Sequence, residues 1–294
     1  MTWTIVLEKV LSASLAGSLV FFLDWRSLVV TFIVLGQGHF LTAYVYQAGA
    51  GKIGRTYLAS FAAWAAIIVT SYWLHPFPAG LTAIATIYFG IHMATDELYL
   101  TRLPIALYQS PLHLGRLFEM LPLILVYAAA VSDAMLAHGA WLQFPTLSGS
   151  ALKLAEASYL AYLLVIWPGG YRPDGRSAYL IAAGAGLYVA SRWGYLGQVP
   201  APKLSGFFIL FHYFNWYIHY FLSLARSLRA LYLKRVAVIN LGAVSLYLAS
   251  GTSGPGWIFF QEQNFYIWTL LHLITTTRYT DVKNILRWPE SRPA

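Results

Sequence analysis

The stretch SGFFILFHYFNWYIHYFLSLAR, residues 205–226, decides how this chain is read. It is apolar over a length that crosses a bilayer, yet it carries His212, Asn215 and His219. About 20 mostly apolar residues span the hydrocarbon core as an α-helix. At 3.6 residues per turn, positions 212, 215 and 219 share one face. Polar nitrogen-bearing side chains in hydrocarbon are costly without partners, so such a face points into a bundle and marks a site.

The composition agrees with a membrane reading. Of 294 residues, 59% are hydrophobic and 10% are charged, and the mean hydropathy is +0.59. Soluble domains carry about 25% charged residues, so the expected class is an all-α, polytopic integral membrane protein. Cysteine is absent, which excludes disulfides, thiolate metal sites and cysteine nucleophiles. Any bound metal must therefore be held by nitrogen and oxygen. The net charge is +8, but the basic residues sit between apolar spans as positive-inside loops do. That distribution argues against a nucleic-acid partner. The opening MTWTIVLEKVLSASLAGSLVFFL has no basic leader region and reads as a first span instead of a cleaved signal. No long linker or repeat interrupts the chain, so a single domain over residues 1–294 is expected.

Apolar windows predict ten transmembrane helices, near 4–23, 27–47, 56–74, 79–100, 114–137, 150–168, 177–192, 205–226, 235–250 and 257–278. Lys52, Arg55, Arg102, Arg116, Arg172, Arg176, Arg226, Arg229, Lys234 and Arg235 cluster around the loops after even-numbered spans. The charge rule then places both termini in the cytoplasm, and the expected location is a bacterial or archaeal cytoplasmic membrane.

Five of the eight histidines, His39, His92, His212, His219 and His272, fall inside spans, and all of those spans are even-numbered. Counted from the expected starts, His39, His92, His219 and His272 are residues 13 to 16 of their spans. At 1.5 Å per residue they occupy a layer about 5 Å deep, with His212 about 10 Å nearer the outside. His75, His113 and His138 fall at span ends or in loops and read as interfacial.

Imidazole is the commonest protein metal ligand and suits iron, copper, zinc and nickel. An all-histidine set with open positions suits Fe(II) and dioxygen. Paired b-type haems or a histidine proton relay would draw on the same residues, giving an electron-transfer protein or a proton- or metal-coupled transporter as the alternatives. Asp96 lies at i+4 from His92, on the same helical face, and Asp96, Glu97, Asn215 and Gln37 are candidates to orient the ligands. The segment AGAGKIG at 48–54 is no phosphate loop, because Tyr46 and Ile53 occupy positions that need Gly and Ser or Thr.

The motifs GQGHFL at His39, IHMATDE at His92, LFHYFNWYIHY at His212 and His219, and LLHLITTTRYTD at His272 together resemble the Brp/Blh family of membrane-embedded, iron-dependent carotenoid oxygenases. The first three sites are 53 and 120 residues apart (39 to 92, 92 to 212), as the family's are. The resemblance implies Fe(II), one ion or two, with O2 as co-substrate. It also implies an apolar substrate taken from the lipid bilayer, and oxidative cleavage of a carotenoid double bond to an aldehyde. The chain departs from the family where Gly38 and Phe40 flank His39, and where Trp216 stands four residues after His212. The family pairs histidines at that spacing, whereas His212 and His219 are seven apart, so a dinuclear arrangement remains open.

Overall fold

The computed structural model of the protein describes residues 3–49, 51, 53–74 and 201–276, with isolated helical positions between 92 and 189. Every regular element among the described residues is helical. Packing divides the chain into two units. One comprises residues 2–77 and 206–276; the other comprises Met1, residues 78–205 and residues 277–294. The spans expected at 79–100, 114–137, 150–168 and 177–192 belong to the second unit and fall almost wholly outside the described residues.

The first unit contains α1 (Trp3–Phe22), α2 (Trp25–Gly49), α3 (Arg55–Leu74), most of α4 (Ala201–Ser223), α5 (Arg226–Ser250), α6 (Gly254–Phe260) and α7 (Glu262–Thr276). Among the described residues, three helices are long and apolar enough to cross a membrane: α1 over Thr4–Phe22, α2 and α5. Tyr57–Thr70 of α3 is a shorter apolar stretch. With one tenth of its residues charged, the chain is a membrane protein by length and composition. Phe21, Phe22, Val238, Leu241 and Leu248 stand exposed on α1 and α5, which a bilayer accommodates and water would not.

Asp24 sets the tight turn between α1 and α2. Its Oδ1 accepts from the backbone N–H groups of Arg26 (2.9 Å) and Ser27 (3.1 Å), and Oδ2 accepts from the Ser27 hydroxyl (2.6 Å). These bonds satisfy donors that open a helix without partners. From there α2 runs through the core, packing on α5, α6 and α7, while α3 packs on α7. Leu28, Phe32, Ile33, Val34 and Phe40 of α2 join Leu210, Phe211 and Tyr213 of α4 and Phe260 and Phe265 in one apolar cluster.

Two glycines let α2 sit so deeply. A Cβ at Gly36 would meet the Tyr213 hydroxyl at 2.6 Å and the Phe265 ring at 2.7 Å, while one at Gly38 would meet the Asn240 side chain. Two residues apart on a helix, these positions face different neighbours. The GQG of the sequence motif therefore clears α4 and α7 on one side and α5 on the other.

The later helices depart from the spacing expected of them. Helix α4 starts at Ala201, four residues before the expected 205. Pro202 in its first turn costs little there, because the N–H it lacks would have no helical partner. Helix α5 starts at Arg226 instead of 235, so the basic residues expected in a loop form its first turns. Arg229 reaches back to cap α4, donating from Nε to the Leu224 carbonyl (3.2 Å) and from Nη2 to the Leu222 carbonyl (3.0 Å). The expected tenth span is broken at Gln261 into α6 and α7. Three carbonyls in the last turn of α6 find side-chain donors: Asn264 Nδ2 to Trp257 O (2.8 Å), Trp268 Nε1 to Ile258 O (3.0 Å) and Gln37 Nε2 to Phe259 O (2.7 Å). Such a break is tolerated at membrane depth only when the released groups are satisfied inside the protein.

Candidate metal centre

Helix α2 delivers His39 to the junction of α4 and α7. The His39 ring centroid lies 5.2 Å from that of His212 and 5.3 Å from that of His272, at interplanar angles of 66° and 70°. All three histidines are buried. Aromatic rings hold them in place. Tyr213 stacks on His39 at 4.8 Å, Phe40 stacks on His272 at 4.5 Å, and Tyr217 lies edge-on to His39 at 5.9 Å. Tyr44 approaches the His272 ring at 6.1 Å, with its hydroxyl 3.3 Å from Thr275 Oγ1. Tyr217 is tied in turn to α5, through its hydroxyl to Asn240 Nδ2 (3.3 Å) and through its carbonyl to the Tyr232 hydroxyl (3.2 Å). Three helices thus present imidazoles to one another in an apolar, aromatic frame.

The spacing discriminates between ligand arrangements. With metal–nitrogen bonds of about 2.0–2.1 Å, two imidazoles at adjacent positions on one ion have centroids about 4.5–5.5 Å apart, and two on opposite sides about 6.4 Å. The observed 5.2 and 5.3 Å match the adjacent arrangement. Both fall short of the opposed pair that sandwiches a haem iron. Among the described residues of this unit, no three histidine nitrogens or carboxylate oxygens lie mutually within 4.8 Å. Closing three ligands on one ion therefore requires a ring rotation.

His219 has a separate environment. Its Nδ1 lies 3.0 Å from Glu8 Oε2 on α1, and its Nε2 lies 3.5 Å from the Ser223 hydroxyl. Glu8 is 1% exposed. Lys9 Nζ stands 3.8 Å from Glu8 Oε1 and 5.8 Å from the centre of the Phe211 ring. Counting along the spans grouped His219 with His39 and set His212 apart. In the structure, His212 faces His39 and His219 faces Glu8. The earlier start of α4 accounts for this, since it carries both α4 histidines deeper by four residues, about 6 Å.

The other candidates divide as follows. Asn215 is fully buried on α4, between the two histidines in sequence. Gln37 is buried and donates to the broken end of α6. In the other unit, His92 is buried and its Nε2 lies 3.1 Å from Asp96 Oδ2, the contact that i,i+4 spacing provides. Glu97 lies outside the described residues, as do His75, His113 and His138. Glu8 and Lys9 escaped the sequence reading, although a carboxylate and an ammonium side by side inside an apolar span are a signal of function in their own right.

Compared with known proteins, the chain matches no family model, no curated protein and no solved structure.

Proposed function

We propose that the protein is a multi-pass, membrane-embedded oxidoreductase that uses a histidine-held non-haem iron and dioxygen on a long apolar substrate of the carotenoid, isoprenoid or lipid-like class, as in the Brp/Blh family its motifs resemble. The observation that carries this reading is the approach of His212 and His272 to His39 from three helices, at a spacing suited to adjacent ligands on one ion. The donor set also fits, because a chain without cysteine offers imidazole and carboxylate alone, and neutral imidazole suits Fe(II). His219, with Glu8 on its ring, is a further candidate ligand in this unit, and in the other unit His92 carries Asp96 on its ring. His212 and His219 are about 10 Å apart along α4 and have different neighbours, which favours two metal positions over one.

Iron held at these residues would supply dioxygen activation. The chain's own contribution is orientation and exclusion. Tyr213 and Phe40 fix the His39 and His272 rings by stacking, and the surrounding core keeps water away. A substrate dissolved in lipid enters sideways between helices, so the exposed apolar helix faces are compatible with its route. The transport and haem readings lack an equivalent observation, and the short imidazole spacing counts against haem.

The test is an anaerobic reconstitution. Protein stripped with a chelator in detergent is loaded with Fe(II), mixed with β-carotene micelles and exposed to O2. The reading predicts an O2-dependent aldehyde product that is lost in His39→Ala. No consumption of O2 with carotenoid, isoprenoid or fatty-acyl substrates would count against it.

A further inference from the structure

The reading above places Glu8 beside His219 but gives it no task, although it is among the most buried side chains in the unit. A carboxylate in a membrane-spanning helix is retained against a large desolvation cost. Its surroundings show why it is tolerated: Oε2 meets His219 Nδ1 at 3.0 Å, and Lys9 Nζ lies 3.8 Å from Oε1. Lys9 thus sets a side chain of opposite formal charge beside the carboxylate. Ser12, one turn later, donates its hydroxyl to the Glu8 carbonyl at 2.7 Å, and so adds a side-chain bond to the backbone at this point.

We propose that Glu8 is the positioning residue of His219: its carboxylate accepts the Nδ1–H and so turns Nε2, with its lone pair, into the nitrogen available to a metal. The free imidazole in water prefers to carry its proton on the other nitrogen, and the partner of one ring nitrogen sets the state of the other. Carboxylate–histidine–metal arrangements use this device to fix ring direction and to raise ligand basicity. The geometry meets the requirement on both sides. Nδ1 is occupied by Glu8, and among the described residues the polar group nearest Nε2 is the Ser223 hydroxyl at 3.5 Å, long for a hydrogen bond. The assignment rests on the metal reading for its purpose, but the tautomer stands by itself.

Two measurements on the full-length, detergent-purified chain test it. The first uses protein labelled with ¹⁵N-histidine and stripped of metal, with the His219 signal identified by its loss in His219→Gln. Solid-state NMR should show the proton on Nδ1 in the wild type and on Nε2 in Glu8→Leu. A wild-type proton on Nε2 would overturn the assignment whether or not the protein is a metalloenzyme. The second is a Co(II) titration read by the visible ligand-field bands. Glu8→Gln keeps the size and hydrogen-bonding capacity of the side chain, so a merely structural tie between α1 and α4 would survive it. Positioning predicts Co(II) affinity weaker by about 10–100-fold, restored in part by Glu8→Asp, with an unchanged melting profile. Equal affinity in Glu8→Gln and wild type would overturn it. Wild-type protein that takes up no Co(II) would refute the metal centre itself, and the tautomer measurement would then decide the Glu8 assignment.

Discussion

Gly38→Ala probes the contact that seats His39. A methyl group at position 38 would collide with the Asn240 side chain, its Cβ only 2.8 Å from Asn240 Cγ. Asn240 cannot simply swing aside, because Nδ2 donates to the Val236 carbonyl (2.9 Å) and to the Tyr217 hydroxyl (3.3 Å). Breaking both costs about 1–3 kcal/mol. Parting α2 from α5 instead costs about 1–3 kcal/mol, as overpacking does. Alanine returns about 1 kcal/mol of helix propensity over glycine, so the net loss is about 0–2 kcal/mol. The same argument predicts a reversal of sign. In an Asn240→Ala background the clash is gone, and Gly38→Ala should stabilise by about 1 kcal/mol. Gly36→Ala is the control, since its obstacles are the Tyr213 hydroxyl and the Phe265 ring, which Asn240→Ala leaves in place. With no cysteine for thiol-reactive dyes and 11 tryptophans in the chain, thermal unfolding in detergent is best followed by tryptophan fluorescence. A Gly38→Ala effect of the same sign in both backgrounds would refute the reasoning.

Other expectations follow from single contacts. Gln37→Leu should leave the Phe259 carbonyl at the α6 break without its donor, lowering stability by about 1–3 kcal/mol; thermal unfolding that matches wild type would contradict this. Asp24 should respond to acid. Bonds from the Ser27 hydroxyl and backbone hold its carboxyl below the ordinary value of 3.8. A group whose folded pKa is depressed stabilises above its unfolded pKa and loses that contribution as pH falls through the folded one. Melting temperatures of wild type and Asp24→Asn should therefore differ at pH 6 and draw together as the pH falls below the ordinary value of 3.8. His39→Ala should abolish retention of bound metal in elemental analysis, whereas His138→Ala should retain it; equal retention would remove His39 from the centre.

The first three helices were legible because long apolar runs are separated by strong punctuation. The windows 4–23, 27–47 and 56–74 differ by at most two residues from α1, α2 and α3, with Asp24 and the Gly51–Gly54 stretch between them. The later boundaries were hidden by residues with two meanings. Pro202 reads as a breaker but sits comfortably in a first turn. Arg226 to Arg235 read as loop charges, yet Arg, Leu, Ala and Lys are good helix formers. Long basic side chains also let a helix begin before the hydrocarbon does. The break at Gln261 was signalled by QEQN at 261–264, although its closure by Gln37 was not, since that bond joins residues 222 apart in sequence.

The same division holds for the site. That five histidines lie buried in helical segments was readable from hydropathy. Which of them meet was not, because a shift of four residues in one helix start exchanges His212 and His219 as neighbours of His39. Glu8 was visible in the sequence as a carboxylate in an apolar run, but its partner on α4 lies 211 residues away. Side chains that complete a buried hydrogen bond across helices carry no local pattern.

Elemental analysis of the detergent-purified protein, with the visible spectrum of the same sample, tests the central claim most directly. A histidine-held non-haem iron centre predicts one or two equivalents of iron per chain and no Soret band. A Soret band, or protein that holds no metal after expression with iron, would contradict it.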